Sequence, residues 1–294
     1  MSDQLCDSET GVFTGTAGWE YPDWKGIVYP EKMSRATKPL SLLSQWFDLV
    51  EINVTYYRPI AARQCVAWLQ QTDNNSRFMF CAKLPSALTH DRKTKLDAGT
   101  VAAFRESIRP LTESGKLGAV LAQFPWSFKR TPENRNYLAR LSDATEGMPL
   151  AVEVRHDSWN HPDFIAGLTD RGIAICNIDQ PALNRCLKPS ETVTAPFGYI
   201  RLHGRNAEHW FDMKSGRNPR YDYLYNQEEL TPWIERIKNM REQVSRLFVV
   251  TNNHYRGQAV VNALELENAL GIKKATPPET LQYLYPRLGN LFVD

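Results

Sequence analysis

LAVEVRHDSW, residues 150 to 159, begins as a strand covered on both faces and ends in charge and aromatic rings. Strand side chains alternate, so Leu150, Val152 and Val154 form one apolar face and Glu153 and Arg155 point the other way. Four further runs share this build: VEINVTYY (50 to 57), RFMFCAKLP (77 to 85), GYIRLHGR (198 to 205) and RLFVVTNNH (246 to 254). A buried parallel strand normally reads as an unbroken β-branched run, so polar groups at each end call for an explanation. In a (β/α)8 barrel the carboxyl ends of all strands converge on one mouth, where such barrels place their chemistry.

Strands are predicted at 11 to 19, 50 to 57, 77 to 85, 116 to 125, 149 to 156, 172 to 179, 197 to 204 and 246 to 254. Helical spacing fills most of the gaps, at 39 to 50, 62 to 72, 100 to 115, 132 to 144, 163 to 172, 228 to 244 and 259 to 271. Strand alternating with helix argues for a parallel sheet, and eight repeats in 294 residues favour closure. The expectation is α/β, a single TIM-type (β/α)8 barrel domain over residues 11–294 behind a disordered polar tail at 1–10. Two connections break the pattern: WEYPDWKGIVYPEKMSRATK after the first strand, and QPALNRCLKPSETVTAP, without helical period, after the sixth. Long irregular loops in a compact domain usually bind or cover ligands, and both are expected over the mouth.

A net charge of +2, from 35 basic and 33 acidic side chains, gives no global pull toward nucleic acid or membrane, so any attraction for an anion must be local. Five widely spaced cysteines (Cys6, Cys65, Cys81, Cys176, Cys186) with no CxxC pair argue for reduced thiols. With an acidic N-terminus and no apolar run of about 18 residues, the expected location is the cytoplasm, with no membrane partner. There is no GxSxG elbow, P-loop or strand-linked GxGxxG, so serine hydrolase, NTPase and nicotinamide enzyme readings have little support.

Parity in strand two sends Val50, Ile52 and Val54 outward and Glu51, Asn53 and Thr55 inward; strand five contributes Glu153 and Arg155. Lys83, Gln123, Asp179, Arg201 and His203 follow as inward groups, and Asn252 and His254 are expected at the end of strand eight, beside Asn253. An isolated pair such as Glu51 with Lys83, or Glu153 with Arg201, would be a core device. A ring of ionisable groups from different strands fits a wet site better, because each buried unpaired ion costs several kcal/mol. Trp19, Tyr21, Trp24, Tyr56, Tyr57, Trp126, Phe128, Trp159 and Trp210 follow strand ends, interleaved with Lys25, Arg58, Lys129, Arg130 and Arg205. Singly, each aromatic is more often packing than ligand contact; together they would form a rim for stacking beside phosphates.

At GTAGWEYPDWKGIVYP, VEINVTYYRP, LAQFPWSF, AVEVRHDSW, YIRLHGR and TNNHYRGQAVVNA the chain resembles the YecE-like family, the domain of unknown function 72 proteins, in order from about residue 12 to about residue 271. The resemblance implies a TIM-type barrel and supplies no activity. Positions matching the family pattern are Gly18, Trp19, Tyr21, Trp24, Glu51, Asn53, Tyr57, Lys83, Gln123, Glu153, Arg155, Asp179, Arg201, His203, Gly204, Asn252, Asn253 and His254. The family's usual serine in the first motif is Ala17 here, which removes a hydroxyl from that point.

The resulting expectation is an enzyme, a hydrolase or lyase, acting on an anionic, phosphate-bearing substrate such as a nucleotide or nucleic acid. Lys83, Arg155 and Arg201 would clamp the anion. Glu51, Glu153 or Asp179 would serve as base and His203 or His254 as acid. Trp19, Tyr21, Asn53, Tyr57, Gln123, Asn252 and Asn253 would complete the substrate site. No cofactor is expected. Two alternatives stand beside this: a non-catalytic binding module for nucleic acid or a phosphorylated metabolite, and a divalent-metal isomerase or endonuclease-like hydrolase using the same carboxylates and histidines. Three interleaved cations count against the metal. A glycosidase pair from strands four and seven is disfavoured, because those strands offer Gln123 and Arg201.

Overall fold

Eight parallel strands close in sequence order into a barrel. The computed structural model describes residues 11–34, 37–92, 96–212, 217–272 and 275–291; the tail at 1–10, Cys6, and Arg35 and Ala36 of the first long loop lie outside the described residues. The strands are β1 (Gly11–Ala17), β2 (Leu49–Ile52), β3 (Met79–Lys83), β4 (Leu117–Gln123), β5 (Leu150–Glu153), β6 (Ala174–Asp179), β7 (Phe197–Leu202) and β8 (Arg246–Thr251). The outer layer comprises α1 (Pro39–Trp46), α2 (Ala62–Gln71), α3 (Ala98–Glu113), α4 (Pro132–Ala144), α5 (Pro162–Asp170), α6 (Gln227–Arg241), α7 (Gln258–Ala269) and α8 (Glu279–Leu284). Starts are marked chemically: Pro leads α1, α4 and α5, and Asn226 with Glu229 makes a reciprocal capping box on α6.

Inward side chains fill the lower and middle barrel with Phe13, Leu49, Met79, Cys81, Ala119, Leu121, Ala151, Cys176, Tyr199, Phe248 and Val250. Bulk is balanced by small residues: a Cβ on Gly118 would lie 2.7 Å from the Phe248 ring. The apolar layer ends at one level, and above it the inward positions become Glu51, Lys83, Gln123, Glu153 and Arg201, brought alongside by registers such as Gln123 opposite Glu153. Outward Val50, Ile52, Val120, Val152 and Val154 join the helices in the main core.

Two departures from the sequence reading have clear causes. Strand two stops at Ile52, and Val54–Tyr57 turns as a short helix. Thr55 is therefore not an inward strand residue; its hydroxyl donates to the Lys83 carbonyl at 2.7 Å and ties the turn to β3. The connection after β6 does not stay over the mouth. It runs down the outside of β6 in the place of a helix, and the outward Asn177 amide holds it by accepting from Ser190 Oγ (2.7 Å) and Thr192 N (2.8 Å) and donating to Thr192 O (2.9 Å). Thr194 Oγ1 does the same lower down, accepting from Ile175 N and donating to Ile173 O.

Candidate functional site

A cavity of about 730 Å³ opens at the carboxyl end of the barrel. Its floor is Lys83, Gln123, Arg155 and Arg201, its walls include Trp19, Tyr21, Asn53, Asn252, His254, Trp68 and Tyr221, and its rim carries Tyr57, Arg58, Arg63 and Glu20. That size suits a small ligand rather than a flat surface contact.

Beneath the floor, Arg201 lies between two carboxylates. Nη2 donates to Glu51 at 2.8 Å and Nη1 to Glu153 at 2.5 Å. The second oxygen of Glu51 accepts from Tyr199 Oη at 2.8 Å, and that of Glu153 from Arg155 Nε at 2.9 Å, with His203 Nε2 at 3.1 Å. Every carboxylate oxygen is thus engaged and neither glutamate reaches solvent. This corrects the expectation of an open carboxylate base: Glu51 and Glu153 hold arginines in place. Burial alone would raise the Glu153 carboxyl, but Arg201, His203 and Arg155 around it keep it well below the usual range. His203, fully buried, is lowered by that burial to about 3 and is neutral; its Nδ1 meets the Asn252 amide at 3.0 Å and the Trp210 ring covers it. It is a positioning group for Glu153 and Asn252, not an acid at the cavity.

Lys83 differs from its neighbours. No acceptor or carboxylate among the described residues pairs with Nζ, which instead lies 4.0 Å from the centre of the Tyr56 ring. Burial, with Arg201 next, lowers it to about 7, although Glu51 and Glu153 pull the other way. Burial likewise lowers the nearby His90 to about 4, with Lys83 adding to the effect; its ring nitrogen meets the Gln123 amide at 3.5 Å.

The remaining walls come from the loops after β1 and β8. Gly18 has φ +84°, and a Cβ there would lie 2.8 Å from the Tyr21 hydroxyl, so only glycine permits that ring to fold back over β1. Tyr21 then stacks on His254, rings 4.2 Å apart and 10° from parallel. Trp24 Nε1 donates to the His254 carbonyl at 2.7 Å, and the Arg256 backbone N–H to Asp23 at 2.5 Å, which locks the two loops together. Trp19 packs edge-on against Trp68, and its buried Nε1 finds no acceptor among the described residues, so a donor remains for a ligand.

Several expected site residues lie elsewhere. Asp179 faces the helical layer, where it accepts from Trp233 Nε1 (2.6 Å), Tyr225 Oη (2.8 Å) and both Nε and Nη2 of Arg205 (2.8 and 2.7 Å). It is an anchor for α6, and Arg205 is spent with it. Asn253 also points outward, donating to Tyr223 O and Asn262 Oδ1. Trp24, Phe128 and Trp159 are core, and Arg130 pairs with Asp163. Trp126 packs edge-on against Phe211 with Lys129 over its ring, outside the lining of the cavity. Unforeseen were Tyr199, two positions before Arg201 and so on the same face, and His90, Arg63, Trp68 and Tyr221, which sit in helices or loops where alternation gives no signal. Among the described residues no group of three His, Cys, Asp or Glu side chains is arranged to hold a metal ion, since the two mouth glutamates already serve Arg201.

The chain is 28% identical over 275 residues to the UPF0759 protein YunF of Bacillus subtilis, covering 89% of this chain and 95% of that protein. Against the UPF0759 protein YecE of Escherichia coli K12 it is 26% identical, over 63% of this chain and 61% of that one. A crystal structure of a DUF72 family protein from Thermotoga maritima superposes with a TM-score of 0.77 at 35% identity, covering 89% and 99% of the two chains. One from Enterococcus faecalis gives 0.79 at 25%, covering 90% and 97%. The family described as "Protein of unknown function DUF72" matches residues 13–283, and with the closed barrel and these relatives this places the chain in the DUF72 family.

Proposed function

We propose that the mouth is the active site of an enzyme acting on an anionic, phosphate-bearing small molecule. The observation that carries this reading is the internal spending of acid at the floor. Glu51 and Glu153 are consumed below by Arg201, Arg155, Tyr199 and His203, while Lys83, Arg155 and the edge of Arg201 face the cavity, with Arg58 and Arg63 at the rim. Among the described residues that line it only Glu20 is acidic, so the cavity presents a local positive surplus in a chain of near-zero net charge. Guanidinium donors match phosphate oxygens in pairs, and Trp19, Tyr21 and Tyr57 offer faces for the rest of the molecule. Lys83 and His254, both on the cavity, take the proton-transfer roles, because the carboxylates are sealed away.

Sealed carboxylates also favour a second reading, a binding module for a phosphorylated metabolite or nucleic acid, which needs the cations and rings but no base. Turnover separates the two. A cytoplasmic setting is supported by Cys65, Cys81, Cys176 and Cys186, all buried and free; among the described residues no helix is long and apolar enough to cross a membrane.

Titration calorimetry with inorganic phosphate and with ribose 5-phosphate tests the reading. Saturable binding is expected, weakening at least about tenfold on Arg155→Ala, the loss of one charge-assisted contact. Equal affinity in wild type and variant, or no binding at millimolar ligand, would refute it.

A further inference from the structure

Lysines are almost never buried unless paired, and an opposite charge beside the amine favours the ammonium form. Lys83 is buried without such a pair among the described residues, although two carboxylates lie close enough to influence it. Both are already bonded to Arg201, and Glu153 also to Arg155, so neither is left to pair with the amine. The Tyr56 ring face at 4.0 Å stabilises a cation on Nζ but donates no hydrogen bond to the lone pair of the neutral amine, which is left free. Lys83 stands at the carboxyl end of β3, its backbone carbonyl tied to the Thr55 hydroxyl, and lines the cavity together with Asn53, Gln123 and Arg155. The lowered Lys83 supplies free amine at neutral pH, and a desolvated lysine beside another cation is the usual form of an amine nucleophile.

Resting on the anion reading above, we propose that Lys83 forms an imine with the carbonyl carbon of a phosphorylated aldehyde or ketone, the phosphate being held by Arg155 and the arginines near it. The nitrogen lone pair attacks the carbonyl carbon as the C=O π bond opens, giving a carbinolamine. Loss of the oxygen as water then forms the C=N bond. Starting from the ammonium, the overall change is R–NH3⁺ plus carbonyl going to R–NH⁺=C plus one water, with no oxidant or further reactant. The iminium keeps the positive charge where the Tyr56 ring already accommodates one, and the arginines supply the phosphate contact that selects the substrate.

The experiment is reductive trapping on the intact protein. Wild type is incubated with glyceraldehyde 3-phosphate and cyanoborohydride, digested, and mapped by mass spectrometry, with glyceraldehyde run in parallel. One adduct per chain is expected at Lys83, forming at least about tenfold faster than at any other lysine because, among the described residues, only this one is both desolvated and set in a cavity. Trapping should be slower with glyceraldehyde, slowed by inorganic phosphate, and lost in Lys83→Arg; mapping on wild type stands whether or not that variant folds. Uniform labelling of surface lysines, or the same rate at Lys83 with and without the phosphate group, overturns the proposal. If calorimetry finds phosphate bound while Lys83 is not trapped, the imine alone is refuted. If phosphate neither binds nor alters the trapping rate, both this inference and the anion reading are refuted.

Discussion

Lys83 is the titrating residue of the mouth, and its charge sets how strongly the cavity holds an anion. Its ammonium, lowered to about 7 from 10.5 first by burial and then by Arg201, is charged below that pH and neutral above it. Sulfate, which keeps two negative charges across this range, should therefore bind more weakly as pH rises through about 7. A loss of about tenfold is expected, close to one unit charge at partly screened separation. Linkage requires the reverse as well: bound sulfate raises the Lys83 value. In Lys83→Met the affinity should be flat between pH 6 and 9, near the level that wild type reaches above about pH 7 and below that of wild type at pH 6; a wild-type profile that is already flat contradicts the assignment. Residue placement was legible where alternation was clean. Glu51, Glu153 and Arg201 face inward as parity requires, because their neighbours in sequence are apolar. Asp179 departs from this, since AICNID carries apolar residues on both faces until Asn177 and polarity at a strand end does not tell the mouth from the helical layer. Nothing local tells that Trp233 and Tyr225, some fifty residues on, supply its donors.

At the scale of elements, all eight strands and the seven helices expected between 39 and 271 were readable, because buried runs and helical periods are written continuously along the chain. The turn at Val54–Tyr57 was not: VTYY is strong strand vocabulary, and it is the Thr55 bond to β3 that closes it into a helix. The segment after β6 was correctly seen to lack a helix, but its course was set by a polar side chain on the strand. Asn177 is fully buried, and its amide does the work that apolar packing does under a helix. Asn177→Ala leaves Thr192 N and O unpartnered and should cost about 1–3 kcal/mol. Urea unfolding of the two proteins measures it. A change below half a kcal/mol would mean that water replaces the amide and that the segment is not held this way.

At the scale of the whole molecule, the barrel carries its sealed acid in one layer and the cations that line the cavity, Lys83 and Arg155, in the next. Fold class was legible from the order of elements; the vertical sorting of charge was not, because parity says which way a side chain points and not how deep it ends. Buried ion pairs add little stability over apolar packing, so a triad of Arg201 between Glu51 and Glu153 is better understood as a fixed support for the groups above it. The whole account rests on that layer delivering cations, and not carboxylates, to an open cavity. Diffraction from crystals grown with selenate, read in the anomalous map, locates the anion directly. The account expects a peak within hydrogen-bonding reach of Lys83 and Arg155 that disappears in Arg155→Ala crystals; a mouth without a peak, with selenate bound only at other arginines, would contradict it.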